Sequence, residues 1–263
     1  MIDLEEVSGL PVKFDQEKNS LIFGGGVKEV RPVRRLLEEI KEVLLDKSVT
    51  SPEEFYYMYR DVYKEEDEKI IRANNLRYDL TVIPPMVVGR EFIKTYGHYH
   101  PLVPETKVAY PEVYEVLLGK AQYLLQKSKP PYNEIEEIIL VSALPGDKVI
   151  MPPGYGHITI NPLNSPLVMS DWVSAKFSSI YKPYQELEGG AYFEILEGGE
   201  AKFIPNPKYG KIPKLKIISA KEAPALGLTK ALPLYRSFFT HKDKFKFLNS
   251  PQDYLEELGI RSP

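Results

Sequence analysis

The chain has 263 residues, 43% of them hydrophobic, with 34 basic against 37 acidic side chains and a net charge of −3. That is enough apolar material for one large domain with additions or for two small ones, and the charge balance argues against a nucleic-acid or anionic-membrane surface. With no cysteine, disulfides, zinc ribbons and thiol catalysis are excluded, so a metal site has only histidine and carboxylate to draw on.

The acidic start, Met1-Ile2-Asp3-Leu4-Glu5-Glu6, lacks the apolar core of a signal peptide. The longest apolar stretch, around Ile138 to Leu144, is too short to span a bilayer. A soluble, cytoplasmic protein is expected. Residues 29–46 carry the clearest helical pattern, with Val33, Leu36, Leu37, Ile40, Val43 and Leu44 on one face. Ser51-Pro52-Glu53-Glu54 has the form of a capping box with proline at N1, a start signal for a short helical turn. For Tyr56–Tyr63, strand competes with helix.

From residue 78 to about 205 short β-type runs alternate with glycine and proline. They are Leu80–Ile83, Glu112–Leu118, Tyr123–Gln126, Ile135–Val141, Lys148–Met151, His157–Ile160, Leu167–Val173 and Ala191–Leu196. Such spacing predicts a sandwich or barrel rather than βαβ units. Three segments follow: residues 1–77 as an N-terminal helix and strands packing on the barrel, 78–205 as the barrel, and 206–263 as a C-terminal extension. The extension reads as too short and polar for its own core. It closes on a short helix with Ser250 as N-cap, Pro251 at N1, Asp253 at N3 and Gly259 past its end.

Three of the four histidines fall in two motifs. The first is Gly97-His98-Tyr99-His100, followed by Glu112 and Gly119; on a strand, positions i and i+2 share a face, so both histidines can aim inward. The second is Gly146, Pro152, Gly154, His157 and Asn161, in the spacing G-x5-P-x-G-x2-H-x3-N, which turns a hairpin and presents His157 on the returning strand. Three imidazoles and a carboxylate suit a first-row divalent metal with positions left open for substrate or water. His241 lies outside both motifs and reads as a surface or interface residue. Gly24-Gly25-Gly26 lacks the lysine and helix that a phosphate loop needs.

These motifs resemble those of the cupin superfamily, which implies an all-β fold, the double-stranded β-helix or jelly-roll barrel, here with an N-terminal helix and a C-terminal extension. The first departs from the general form in the eleven residues between His100 and Glu112. Glu105 would meet the short spacing, but Glu112 has the six-residue interval to Gly119. The likeness narrows at Thr95-Tyr96-Gly97-His98-Tyr99-His100, Glu112-Val113-Tyr114, Leu124-Leu125-Gln126, Leu144-Pro145-Gly146 and Pro152-Pro153 through His157 to Asn161. Asp79-Leu80-Thr81-Val82 and Gly89 upstream, and Gly199-Glu200-Ala201-Lys202 to Asn206-Pro207 downstream, match as well. Over roughly residues 8–210 the chain is similar to the cupin-type glucose-6-phosphate isomerases of archaea.

The resemblance implies one divalent metal, Fe2+ first with Mn2+, Ni2+ or Zn2+ as alternatives, held by His98, His100, Glu112 and His157. It further implies Glu112 as the catalytic proton carrier, phosphate and sugar contacts from Thr81, Thr95 and Gly97, further substrate contacts from Tyr114 and Tyr181, a phosphorylated sugar as substrate and a homodimer. The implied reaction is glucose 6-phosphate to fructose 6-phosphate. Alternatives are another metal-dependent cupin enzyme, for a different sugar phosphate or an oxygenase, and a sugar-phosphate-binding cupin without turnover. Where the family has Tyr-Pro-Ala-Asp-Ala-Gly-His-Asp-Tyr, this chain has Val173-Ser174-Ala175-Lys176-Phe177-Ser178-Ser179-Ile180-Tyr181, keeping only the last tyrosine. Thr81 reads equally as a β-former, Gly97 as a close backbone approach, and Lys176 as an exposed lysine or a substitute substrate contact.

Overall fold

A computed structural model describes residues 1–260; the last three residues of the expected extension lie outside the described residues. Two sheets enclose the main core. One has six antiparallel strands in the order Lys148–Met151, Glu112–Leu118, Leu167–Ser174, Leu76–Ile83, Glu54–Tyr59 and Val33–Leu36. The other runs Tyr155–Ile160, Ala121–Ser128, Ile135–Ala143 and, in parallel, Lys216–Ser219. Met58, Tyr114 and Met169 of the first meet Tyr123, Leu125 and Ile158 of the second in one apolar cluster. This is the jelly-roll barrel, with its eight anticipated strands in place to within a few residues. Among the described residues no helix is long and apolar enough to cross a membrane.

Apart from its edge strand Val33–Leu36, the six-stranded sheet is largely buried on both faces. Strand alternation splits its side chains: Tyr114, Val116 and Met169 point to the barrel core, while Val113, Leu117, Val168 and Trp172 join a second cluster outside it. The N-terminal hairpin supplies Val12, Phe14 and Leu21 to that outer cluster, and the C-terminal extension supplies Leu234, Tyr235, Phe238, Phe245, Phe247 and Leu248. The extension therefore has an apolar face after all, and uses it against the barrel. Trp172, fully buried, lies nearly parallel to Tyr235 with ring centroids 5.8 Å apart and donates its indole N–H to the Leu234 carbonyl.

Three expectations are corrected. The helix over 29–46 is instead a strand, Val33–Leu36, then a helical turn at Leu37–Ile40 and a 3-10 turn at Lys41–Val43. Pro32 disfavours helical backbone at Arg31, and the edge of Glu54–Tyr59 offers Val33–Leu36 a hydrogen-bonded partner that outweighs the apolar period. Leu37, Ile40, Val43 and Leu44 are buried as their spacing suggested, but Val33 and Leu36 are exposed on the sheet edge. The segment from Ser51 to Glu54 starts a strand rather than a helix, because Tyr57, Met58 and Tyr59 pair with Val82, Thr81 and Leu80. The terminal helix reduces to one 3-10 turn, Pro251–Asp253, with no cap bond from Ser250. The extension's true helix is Leu234–Thr240.

That helix is tied to the barrel through a buried charge. Glu115 accepts the Leu234 N–H at 2.7 Å and pairs with Lys148 at 2.7 Å, both side chains almost fully buried. Burial pushes the Glu115 carboxyl up to about 7 against the nearby Lys148 charge, from an ordinary 4.5. The folded chain thus holds this proton more tightly than the unfolded one, so its contribution to stability falls as pH rises from about 4.5 to about 7 and is level above that. Lys148→Met removes the opposing charge, so it should steepen the fall and destabilise by about 3–5 kcal/mol at neutral pH. Urea unfolding of both proteins at about pH 5 and about pH 8 measures this; a parallel pH dependence would contradict it.

Candidate metal centre

His98 and His157 are held together by backbone pairing. His98 N–H donates to the His157 carbonyl at 3.2 Å and His157 N–H returns the bond at 3.0 Å, an antiparallel bridge outside the regular strands. His100 follows two residues on and so points the same way as His98. The Tyr110 carbonyl lies 2.9 Å from His100 Nδ1; accepting that N–H leaves the Nε2 lone pair facing inward. Glu112 opens the strand Glu112–Leu118 and points into the same space.

The four ligand atoms lie within 4.8 Å of one another. Glu112 Oε2 is 3.2 Å from His157 Nε2, 3.4 Å from His100 Nε2 and 3.9 Å from His98 Nε2. Burial, then the neighbouring imidazoles, hold His98 well below the usual histidine range; burial likewise lowers His157. Burial alone would raise Glu112, but the adjoining His100 and His157 imidazoles outweigh it and hold the carboxyl well below the usual range. The lowered His98 and His157 beside an ionised carboxylate form a ligand set. Glu112 Oε2 and His157 Nε2 are buried without a well-formed hydrogen bond among the described residues, which is costly unless a cation occupies the middle. The residues fit a divalent ion with nitrogen and oxygen preference.

The eleven-residue spacing is a hairpin. Leu102 pairs with Ala109, Tyr110 N–H donates to the Pro101 carbonyl, and Glu105 sits exposed at the tip with a left-handed φ of 64°. Glu112, not Glu105, belongs to the cluster. In the second motif, Asn161 is structural: its side-chain amide donates to the carbonyls of Ile83, Pro84 and Ser165.

The cluster opens on a cavity of about 320 Å³ whose lining includes Thr81, Thr95, Gly97, Tyr114 and Tyr181 along with His98, His100, Glu112 and His157. Every residue anticipated for the site is therefore in one place. Thr95 Oγ1 accepts the Thr159 N–H at 2.9 Å. Gly97 has a φ of 88°, and a Cβ there would come within 2.8 Å of Ile158 and the Tyr184 ring, so glycine is required by packing alone. Lys176 is exposed and lines a separate surface groove with Phe238 and Asn249. The altered segment contributes Val173, Phe177, Ser178 and Ser179 to the wall, with Phe177 stacked on Tyr110 and lying against His100.

Sequence reasoning missed Tyr56, Arg60, Arg77, Tyr96 and Asp171, all lining the same cavity. Their signal was alternation: 77 and 81, and 169, 171 and 173, are same-face positions on their strands. Asp171 is fully buried, and that burial, followed by the charge of Glu112, pushes its carboxyl well above the usual range.

A profile of the glucose-6-phosphate isomerase family matches residues 34–211. The glucose-6-phosphate isomerase of Thermococcus gammatolerans is 36% identical over 149 residues, 57% of this chain and 71% of that one. The Thermococcus onnurineus protein of the same name is 29% identical over 208 residues, 78% of this chain and 99% of that one. The Pyrococcus furiosus one is 33% identical over 151 residues, 57% and 72% of the two chains. Among solved structures, a Lactobacillus farciminis oxalate decarboxylase formate complex has a TM-score of 0.35 at 18% identity, covering 50% of this chain and 33% of that one.

Glu112→Gln and His157→Ala should each cut bound divalent metal by at least about ten-fold, whereas Glu105→Gln should leave it unchanged. Elemental analysis after dialysis against a metal-buffered solution reads this directly; loss in Glu105→Gln alone would move the ligand to the hairpin tip.

Proposed function

This chain belongs to the glucose-6-phosphate isomerase family, and on that footing we propose that it is a metal-dependent isomerase interconverting a phosphorylated aldose and its ketose, glucose 6-phosphate and fructose 6-phosphate first. The observation that carries the reading is that the family match spans the whole cavity, from Tyr56 to Tyr181, with the four-residue cluster at its centre. His98, His100, Glu112 and His157 would hold the ion. The donor set accepts Fe2+, Mn2+, Ni2+ or Zn2+, with iron as the expectation from the resemblance, as are a homodimer and a cytoplasmic location.

When bound, such an ion polarises a carbonyl and its neighbouring hydroxyl. Glu112 would take the proton from C2 of the open-chain aldose and return it to C1, through an enediol, while the O2 hydroxyl proton passes to O1. No atom is gained or lost in that transfer. Tyr114 and Tyr181 line the cavity and would offer hydroxyls to the sugar. Thr81, Thr95 and Gly97 fix the remainder of the chain, where binding energy remote from the reacting carbons orients them.

A second reading, an isomerase for a different phosphorylated sugar, draws on the rewritten wall. Val173 and Ser179 stand where the resembling family places tyrosine and histidine, which alters how the sugar is positioned rather than the proton transfer.

A coupled assay on metal-reconstituted protein across hexose and pentose phosphates tests this. Turnover of fructose 6-phosphate with a KM raised above that of the resembling enzymes is expected. Inactivity toward every aldose and ketose phosphate would leave a sugar-phosphate-binding cupin instead.

A further inference from the structure

One charged side chain braces the cavity wall without lining it. Arg35 sits on the edge strand Val33–Leu36 opposite Tyr56, and its Nε donates to the Tyr56 hydroxyl at 3.2 Å. Its guanidinium carbon lies 5.8 Å from the ring centroids of Tyr56, Tyr96 and Tyr181 alike, and all three of those residues line the cavity. That separation is within the range of a cation–π contact. The Arg35 side chain is only 19% exposed, and the one carboxylate near it among the described residues, Glu39, is 3.9 Å away. This cation is thus met chiefly by aromatic rings. Strand alternation sends its neighbour Arg34 the other way, 60% exposed and paired with Glu54 at 2.6 Å.

Each of the three tyrosines holds something the substrate meets. The Tyr56 hydroxyl also accepts the Tyr96 N–H at 3.3 Å, which fixes the backbone between Thr95 and Gly97. The Tyr96 ring meets Tyr181 edge-on, with centroids 5.4 Å apart at 87°, and Tyr181 in turn lies 5.4 Å from the His98 ring. Tyr181 is also the one residue kept from the aromatic segment of the resembling family, so more of the sugar's positioning falls to it here. The segment that carries Arg35 is itself fastened. Glu42 accepts from the Tyr96 hydroxyl and from Gln185 Nε2, in the helical turn that Tyr181 precedes. The buried Lys94–Glu91 pair holds residues 43–45 by their backbone: Lys94 donates to the Val43 carbonyl and Glu91 accepts the Leu45 N–H, both at 2.8 Å.

We propose that Arg35 is a positioning residue for the isomerisation: it aims the Tyr181 hydroxyl at the sugar and steadies the backbone of residues 95–97 through Tyr56, touching neither substrate nor metal itself. The proposal rests on the isomerase reading above, which makes Tyr181 a substrate contact. A guanidinium suits the task because its flat faces and its in-plane N–H groups act at once, the faces on rings and the Nε–H on a hydroxyl. Removing the cation therefore loosens substrate binding and leaves the proton transfer at Glu112 intact.

Turnover of fructose 6-phosphate by the metal-loaded full chain, with calorimetric titration of the same sugar phosphate, tests it. Arg35→Met should raise KM and weaken binding by about ten-fold, with kcat within about two-fold of wild type and metal content unchanged. Arg35→Lys, which keeps the cation, should recover part of that loss. Arg34→Met, on the same edge strand, should match wild type. Tyr181→Phe should lose about as much as Arg35→Met, and the double variant little more than either alone, because a misaimed hydroxyl and an absent one forfeit the same contact. Additive losses in the double variant, a fall in kcat alone, or a lowered melting temperature with KM and affinity unchanged would each overturn the proposal. A wild type that binds fructose 6-phosphate with this dependence on Arg35 and Tyr181, yet does not turn it over, would uphold the brace and reject the isomerase reading. Turnover with KM and affinity indifferent to Arg35 would do the reverse, and a wild type that neither binds nor turns over the sugar phosphate would reject both.

Discussion

The reciprocal backbone pairing of His98 with His157 is the constraint on which the site depends. It joins two segments 59 positions apart in sequence numbering at the one place where their imidazoles meet. Once that bridge forms, His100 is aimed by strand geometry and its Nδ1 bond to Tyr110. Glu112 is then delivered by the strand that the 101–111 hairpin returns. A barrel core is a poor solvent for four such groups. Their presence together requires a compensating charge, and the low carboxyl of Glu112 and neutral tendency of His98 and His157 make the cluster ready for a cation.

The rest of the fold keeps that arrangement rigid. The six-stranded sheet that carries Glu112, Tyr114, Asp171 and Arg77 is packed on its outer face by the N-terminal hairpin and by Leu234, Tyr235 and Phe238 of the extension. A sheet covered on both sides cannot slip register without moving every inward side chain to the wrong face. The Glu115–Lys148 pair and the Trp172 bond to Leu234 anchor the covering helix at polar points. The extension is thus a wall behind the sheet that carries Glu112, placed to steady the cavity without lining it.

Much of this was legible in the sequence, for reasons that can be located. Strands from Glu112 to Leu196 were readable because glycine and proline mark their ends and apolar side chains recur along them. The cluster was readable because His98, His100, Glu112 and His157 sit at intervals that barrel geometry needs. The first barrel strand, Val33–Leu36, was hidden: its apolar positions fit a helical period, and only its long-range partner at Tyr56–Tyr59 reveals it as an edge strand. Leu234–Thr240 was hidden for the opposite reason, being apolar on several faces and seven residues long, with no amphipathic stripe to find. Arg60, Arg77 and Asp171 were missed because a charge in a strand reads as solvent-facing, and only the closed barrel turns those positions inward.

The central claim is that a single divalent cation binds where these four side chains converge. Anomalous diffraction from crystals of the iron-loaded chain, collected on both sides of the iron edge, tests it most directly. The expected result is one strong peak per chain, about 2.0–2.2 Å from the Nε2 atoms of His98, His100 and His157 and from a Glu112 carboxylate oxygen. A peak elsewhere, or well-ordered histidines hydrogen-bonded to one another with no peak between them, would contradict it.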